Sequence, residues 1–243
     1  MKLKLYVVAL LVLMQNSMAQ TEPLDVYICA GQSNMAGAGQ KEELPADLQA
    51  AQTNVFIFDG TKWSVFEPGP KRVGPEVLFA YTLQRALNKP IGIIKHAKGG
   101  TNLAKDWNPE LSTNLYAALK DKVAAAGKSR KINIKGMIWM QGENDSKFEE
   151  MAKVYSQNLV NLIQTARKDF NSPEMPFVAG RVNPPPAYKF ANLVRTAQEK
   201  CTVERYSYIN CDDLTTQEGG LHYDTAGLVE MGKRFAQSIQ NLK

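Results

Sequence analysis

The chain reads as an α/β protein with a mainly parallel sheet covered on both faces. Two observations carry that reading. Short apolar runs alternate with longer amphipathic stretches along almost the whole sequence. The apolar runs also lack the polar-apolar alternation of a sheet with one wet face, so they suit strands buried on both sides. A strand followed by a helix, repeated, implies right-handed crossovers between parallel strands.

In chain order the expected strands are Asp25 to Ala30, Val55 to Phe58, Ile91 to Lys95, Lys135 to Trp139 and Phe177 to Arg181, with a weaker one over Tyr206 to Asn210. Helical periodicity covers Pro75 to Leu87, Asn114 to Ala126, Phe148 to Asp169, Tyr188 to Lys200 and Thr225 to Leu242. Pro75 suits the first turn of its helix, where a missing N–H costs little. Pro184-Pro185-Pro186 reads as a stiff loop after the fifth strand. There is no internal repeat, no low-complexity tract and no linker long enough to divide the chain, so residues 20–243 are expected to form one domain.

The first 19 residues read differently. Met1-Lys2-Leu3-Lys4 is basic, Leu5 to Met14 is an apolar run too short to cross a bilayer, and Ser17 and Ala19 have the spacing of a signal-peptidase site. A secretory signal over residues 1–19 is expected, hence export to a periplasmic or extracellular location without membrane insertion after its removal. Losing Lys2 and Lys4 lowers the formal charge from +5 to +3. That charge is weak and its lysines and arginines are scattered, which argues against a nucleic-acid partner. Of the three cysteines, Cys29 lies in an apolar run as a small hydrophobe, and Cys201 and Cys211 are the candidate disulfide pair. None has metal-finger spacing, and no metal or organic cofactor is expected.

In open α/β sheets ligands sit at the carboxyl ends of the strands. Three polar clusters follow strands directly: Gly31-Gln32-Ser33-Asn34-Met35, Lys98-Gly99-Gly100-Thr101, and Gln141-Gly142-Glu143-Asn144-Asp145. A fourth, Gly219-Gly220-Leu221-His222, precedes the last helix. Gly31-Gln32-Ser33 is no phosphate loop, which needs Gly-Lys-Ser/Thr, and no dinucleotide fingerprint, which needs a third glycine. Met35 stands where a G-x-S-x-G elbow has its second glycine. A serine opening a helix faces free backbone N–H groups, and paired glycines let the backbone approach a ligand. The chain holds two histidines, and His222, in a glycine-loosened loop, is the better base; His96 reads as structural.

Together these clusters resemble the blocks of the SGNH (GDSL-like) hydrolases, in the branch of sialate O-acetylesterases and of acetylxylan esterases of carbohydrate esterase family six. Gly31-Gln32-Ser33-Asn34-Met35 matches GQSNM, Ala97 to Thr101 matches A-x-G-G-T, and Trp139 to Asp145 matches W-x-Q-G-E-x-D. Val73-Gly74-Pro75-Glu76 resembles the start of the branch's first long helix, and Gly232-Lys233-Arg234 its terminal G-x-R. The resemblance runs from about residue 24 to the C-terminus.

It implies a flavodoxin-like three-layer α/β/α sandwich and a serine esterase that deacetylates O-acetylated carbohydrates, with an acetylated oligo- or polysaccharide as partner. Ser33 is then the nucleophile and His222 the general base. The oxyanion donors are the amides of Ser33 and Gly100, with Gly99 in second place, and a side chain that is Gln141 by the branch's pattern or Asn144 by the wider G-x-N-D pattern. Gln32, Lys98 and Trp107 are assigned to the substrate. Trp63 and Tyr188 either face the sugar or pack in the core. One position departs: the branch carries Asp three residues before the histidine, and here that residue is Gly219. Glu218, Glu143 and Asp213 are the candidate substitutes, with a backbone carbonyl as the other option. The departure also leaves a rival reading, a catalytically impaired carbohydrate-binding protein on the same scaffold.

Overall fold

The computed structural model describes residues 22–69 and 72–242, so the expected signal over 1–19 lies outside the described residues. Its centre is a seven-stranded sheet: β1 (Leu24–Gly31), β2 (Gln52–Phe58), β3 (Trp63–Phe66), β4 (Ile91–Ala97), β5 (Ile132–Met140), β6 (Phe177–Gly180) and β7 (Tyr206–Ile209). The order is β3-β2-β4-β1-β5-β6-β7, and only the β2–β3 pair is antiparallel. The expected mainly parallel α/β architecture is what the chain adopts.

β1 holds the middle because its sequence LDVYICAG is apolar on both faces, and every residue but Asp25 is buried. β5 begins half exposed and ends in the buried run Gly136 to Met140. The helices are α1 (Ser33–Ala36), α2 (Ala46–Gln49), α3 (Glu76–Leu87), α4 (Leu115–Ser129), α5 (Glu149–Asp169), α6 (Ala191–Glu199) and α7 (Thr225–Asn241). α5 buries Ala152, Tyr155, Leu159, Leu162, Ile163 and Ala166, a helical stripe against the sheet. α3 and α7 share one face, where a Cβ at Gly232 would lie 2.2 Å from the Pro75 carbonyl oxygen. α4, α5 and α6 cover the other, tied by the Tyr116 hydroxyl donating to Asp169 at 2.9 Å. Side-chain caps start two of these helices: Asn114 accepts from Ala117 N–H at 3.0 Å, and Asp224 from Gly227 N–H at 2.8 Å.

Two expectations change. Trp63 is on neither a loop nor the ligand edge: it opens β3, a four-residue edge strand that pairs with β2. Its ring lies 5.4 Å from Phe58 and against Gly92, near the start of β4, which is the end of the sheet away from the motifs. The cysteines do not pair. All three thiols are free, and Cys29 and Cys211 are buried.

β1 is the switch point of the sheet. From it the chain crosses to β2 and β4 on one side, then returns to β5, β6 and β7 on the other. Gly31 is in register with Ala97 of β4 and Met140 of β5, so three loops leave the sheet side by side at one level. A crevice at such a point is where α/β sheets bind ligands.

Candidate active site

The turn after β1 depends on one glycine. Gly31 has φ +145°, and a Cβ there would lie 2.1 Å from the Met140 carbonyl oxygen, closer than any side chain tolerates. The Gln32 N–H donates to that same oxygen at 2.8 Å, and the Lys98 N–H to the Gly31 oxygen at 3.1 Å. The chain then enters α1 with Ser33 as its first residue, where an amide has no acceptor within the helix. The Lys95 ammonium pins the end of α1 by donating to the Ala36 oxygen at 2.9 Å while pairing with the buried Glu76 at 2.8 Å.

Ser33 and His222 line the same cavity, of about 310 Å³, together with Gly37, Arg72, Gly99 and Gln217. A Cβ on Gly99 would stand 3.5 Å from the Ser33 Cβ, so the second loop runs directly against the serine. Gly100 has φ +72° with nothing within 4 Å of its open side, and its oxygen accepts from Asn144 Nδ2 at 3.0 Å. Asn144 is therefore held beside the paired glycines.

Gln141 is 0% exposed, and its Nε2 faces the Thr101 oxygen at 3.0 Å, Asp145 Oδ2 at 2.5 Å and Gln32 Oε1 at 3.3 Å. Two amide hydrogens already have three acceptors, which leaves no donor for a substrate oxygen. Gln32 is likewise a brace rather than a sugar contact: it is 3% exposed and its Oε1 also lies 3.5 Å from the Gly142 and Asn144 amides. Trp107 is corrected too. It is 0% exposed, donates from Nε1 to Thr101 Oγ1 at 3.0 Å, and stacks edge-on against Trp139 at 5.0 Å. It shapes the second loop from below. Lys98 is exposed beside the glycines, without an ion pair among the described residues. His96 packs edge-on to Trp107 at 5.6 Å, and burial pushes its pKa down.

The His222 loop is a tight hairpin. Thr216 and Tyr223 form an antiparallel bridge, the Gln217 N–H donates to the His222 oxygen at 2.8 Å, and the Gly220 N–H to the Gln217 oxygen at 3.1 Å. Gly219 and Gly220 take φ +88° and +70°, a left-handed pair that aspartate at 219 would enter only under strain. Asn34 grips the loop on both sides of the histidine. Its Nδ2 donates to the Leu221 oxygen at 3.1 Å, and its Oδ1 accepts the Tyr223 N–H at 3.2 Å. Gln217 Nε2 adds a bond to the Ala38 oxygen at 2.9 Å.

None of the candidate carboxylates reaches the His222 ring. Glu218 is exposed and makes no side-chain hydrogen bond among the described residues. Asp213 is held by Arg234 through two bonds of 2.7 Å, which pull its carboxyl down to about 2. Glu143 is 1% exposed and accepts from Asn34 Nδ2 at 2.7 Å. Its hydrogen-bonded link to the histidine loop runs through Asn34. Burial raises the Glu143 carboxyl to about 7, outweighing the Asn34 bond that favours the ionised form. Burial likewise raises Asp145 to about 6, although the Leu103 N–H at 3.0 Å and Gln141 stabilise its charge. Sequence reasoning missed Arg72, which precedes the Val73 to Glu76 block and belongs to no motif. It read Asn34 as part of a motif without its role as a clamp. Among the described residues no group of three or more His, Cys, Asp or Glu could hold a metal ion.

Comparison with known proteins gives the family and the fold of the chain. The chain is 27% identical to a probable carbohydrate esterase of Arabidopsis thaliana, over 89% of this chain and 90% of that one. A solved structure of an Arabidopsis thaliana protein superposes with a TM-score of 0.80 at 23% identity, covering 90% of this chain and 99% of that one. A carbohydrate acetylesterase from Xanthomonas citri gives 0.72 at 19% identity, covering 90% of this chain and 56% of that one. The last two share the fold. A family model described as carbohydrate esterase, sialic acid-specific acetylesterase, matches residues 23–241, and the chain belongs to that family.

Proposed function

We propose that the protein removes acetyl groups from O-acetylated carbohydrates through a covalent acyl-enzyme on Ser33. The observation that carries this is the shared cavity: Ser33 and His222, distant in sequence, face one small space beside the Gly99-Gly100 backbone. Free serine is a weak nucleophile, so His222 takes its proton as Oγ attacks the acetyl carbonyl. The amides of Ser33 and Gly100, with Asn144 Nδ2 beside them, supply the donors for the oxyanion. On collapse the C–O bond to the sugar breaks and the imidazolium returns its proton to the departing sugar oxygen. Water, deprotonated by His222, then attacks the acyl-serine and releases acetate.

The free ring of His222 favours one competing reading, a carbohydrate-binding protein with impaired catalysis. Hydrolysis of p-nitrophenyl acetate by wild type and Ser33→Ala separates the two. A rate lost with the serine supports the esterase; equal rates in both proteins would leave the binding protein. Acetate release from a panel of acetylated xylan, pectin and sialic acid then names the substrate. We further propose, from the basic and apolar leader in residues 1–19, that the protein works outside the cytoplasm. Fractionation of the expressing cells tests it, and retention in the cytoplasm with an intact leader would refute it.

A further inference from the structure

A second cavity, larger than the one that holds Ser33, lies beside it. It measures about 820 Å³ and lies across the His222 hairpin, walled by Gly219 and Gly220 on one side and by Pro184, Pro185, Tyr188 and Asn192 on others. Both volumes fall in the range of small-molecule sites, roughly 300–1,000 Å³. Gly220 is two residues before His222, so their Cα atoms are at most about 7.6 Å apart. A Cβ on Gly220 would touch Pro185 at 3.8 Å, so the proline wall closes directly on the loop that carries the histidine.

The lining suits sugar rings. Tyr188 and the three prolines offer flat apolar surface for C–H faces. The Tyr188 ring is steadied by the Lys147 ammonium 5.0 Å from its centroid. The Asn192 amide, the Lys189 ammonium and the Tyr188 hydroxyl make no side-chain hydrogen bond among the described residues, leaving donors and acceptors for hydroxyl groups. Asp212 is shared between Arg195, through two bonds of 2.8 Å, and Arg181, which also pairs with Glu199, so the floor is fixed and its charges are internally paired. Gly219, without a side chain and with nothing within 4 Å of its open side, leaves the edge nearest the histidine low.

We infer that this cavity is a second carbohydrate subsite, which holds sugar residues beyond the acetylated one and makes the enzyme prefer an acetylated oligosaccharide to an acetylated monosaccharide. The inference rests on the esterase reading above. Its test uses two chemically acetylated ladders, xylose against xylotetraose and sialic acid against its α2,8-linked tetramer, with wild type, Tyr188→Ala and Asn192→Ala. On the ladder that is hydrolysed, kcat/KM should rise about tenfold or more from monomer to tetramer, equivalent to about 1.4 kcal/mol. Each substitution should remove most of that rise and leave p-nitrophenyl acetate hydrolysis unchanged. Equal kcat/KM for monomer and tetramer, or a rise that survives both substitutions, would overturn the subsite while the esterase stands. Calorimetric titration of the unacetylated tetramers reads the subsite without turnover: binding weakened by Tyr188→Ala supports it, and no binding of either tetramer counts against it.

Discussion

Asn34 and Glu143 are 109 residues apart in the chain and joined by a hydrogen bond of 2.7 Å in the fold. The same Nδ2 also donates to the Leu221 oxygen and Oδ1 accepts the Tyr223 N–H, so the residue beside the candidate nucleophile also sets the position of the candidate base. It fixes the backbone on both sides of His222 and leaves the ring itself free.

Asn34→Ala should therefore lower turnover more than substrate affinity. Three bonds go, two of them buried, and Glu143, Leu221 and Tyr223 each lose a partner. A loss in kcat on the order of tenfold to a hundredfold is expected, because small misplacements of a catalytic group are that costly. Amide exchange in residues 216–223 should accelerate in parallel. Unchanged exchange there alongside a lost rate would show that Asn34 acts in some other way.

Glu143→Gln should change how stability depends on pH. The wild-type carboxyl is raised from 4.5 to about 7 by burial. Below about 4.5 both folded and unfolded states are protonated and the group's contribution is whole. As pH climbs toward 7 the unfolded chain ionises first, and that contribution drains away, by roughly 3 kcal/mol in all, then levels off. Glutamine keeps the acceptor for Asn34 and removes the titration. The melting temperature of the variant relative to wild type should thus improve between pH 4.5 and 7 and hold constant above it; a flat difference across that window would contradict the assignment.

Asn144 and Gln141 should separate cleanly. Asn144→Ala removes a donor from beside the paired glycines, with an expected fall in kcat of about a hundredfold or more and little loss of stability. Gln141→Ala strips a partner from Asp145, Thr101 and Gln32 in the dry interior, and should destabilise the fold by several kcal/mol. Thermal melts beside steady-state rates decide it, and the reverse pattern would return the oxyanion role to Gln141.

Glu218→Ala and Asp213→Asn should leave kcat within about twofold of wild type. The first side chain is exposed and unbonded, and the second is committed to Arg234. A large drop in either would reveal a carboxylate that swings to the imidazole during turnover.

The central strands were legible because an unbroken run such as that of β1 has few alternatives in a chain that alternates with helices. β3 was not: four residues on an edge carry almost no periodicity. The usable signal was Asp59-Gly60 ahead of Trp63, since Asp59 accepts from the Thr61 and Lys62 amides and turns the hairpin. The polar clusters were readable as groups, whereas the duties within them were not. Gln141 and Asn144 differ in exposure rather than in chemistry, and exposure depends on which way the chain leaves β5. Gly219 could be seen as a missing acid. The Asn34 clamp could not, because its bonds to Glu143 and Leu221 join residues 109 and 187 positions apart.

The shared level of Ala97, Gly31 and Met140 also restricts how this gene can vary in length. One codon added inside β1 would turn each later side chain of the strand to the opposite face and lift Ser33 out of line with the glycine pair and Asn144. Core and chemistry would fail together. Indels are thus expected to collect in exposed turns away from that edge, such as 59–62 or 173–174, where the sheet keeps no count.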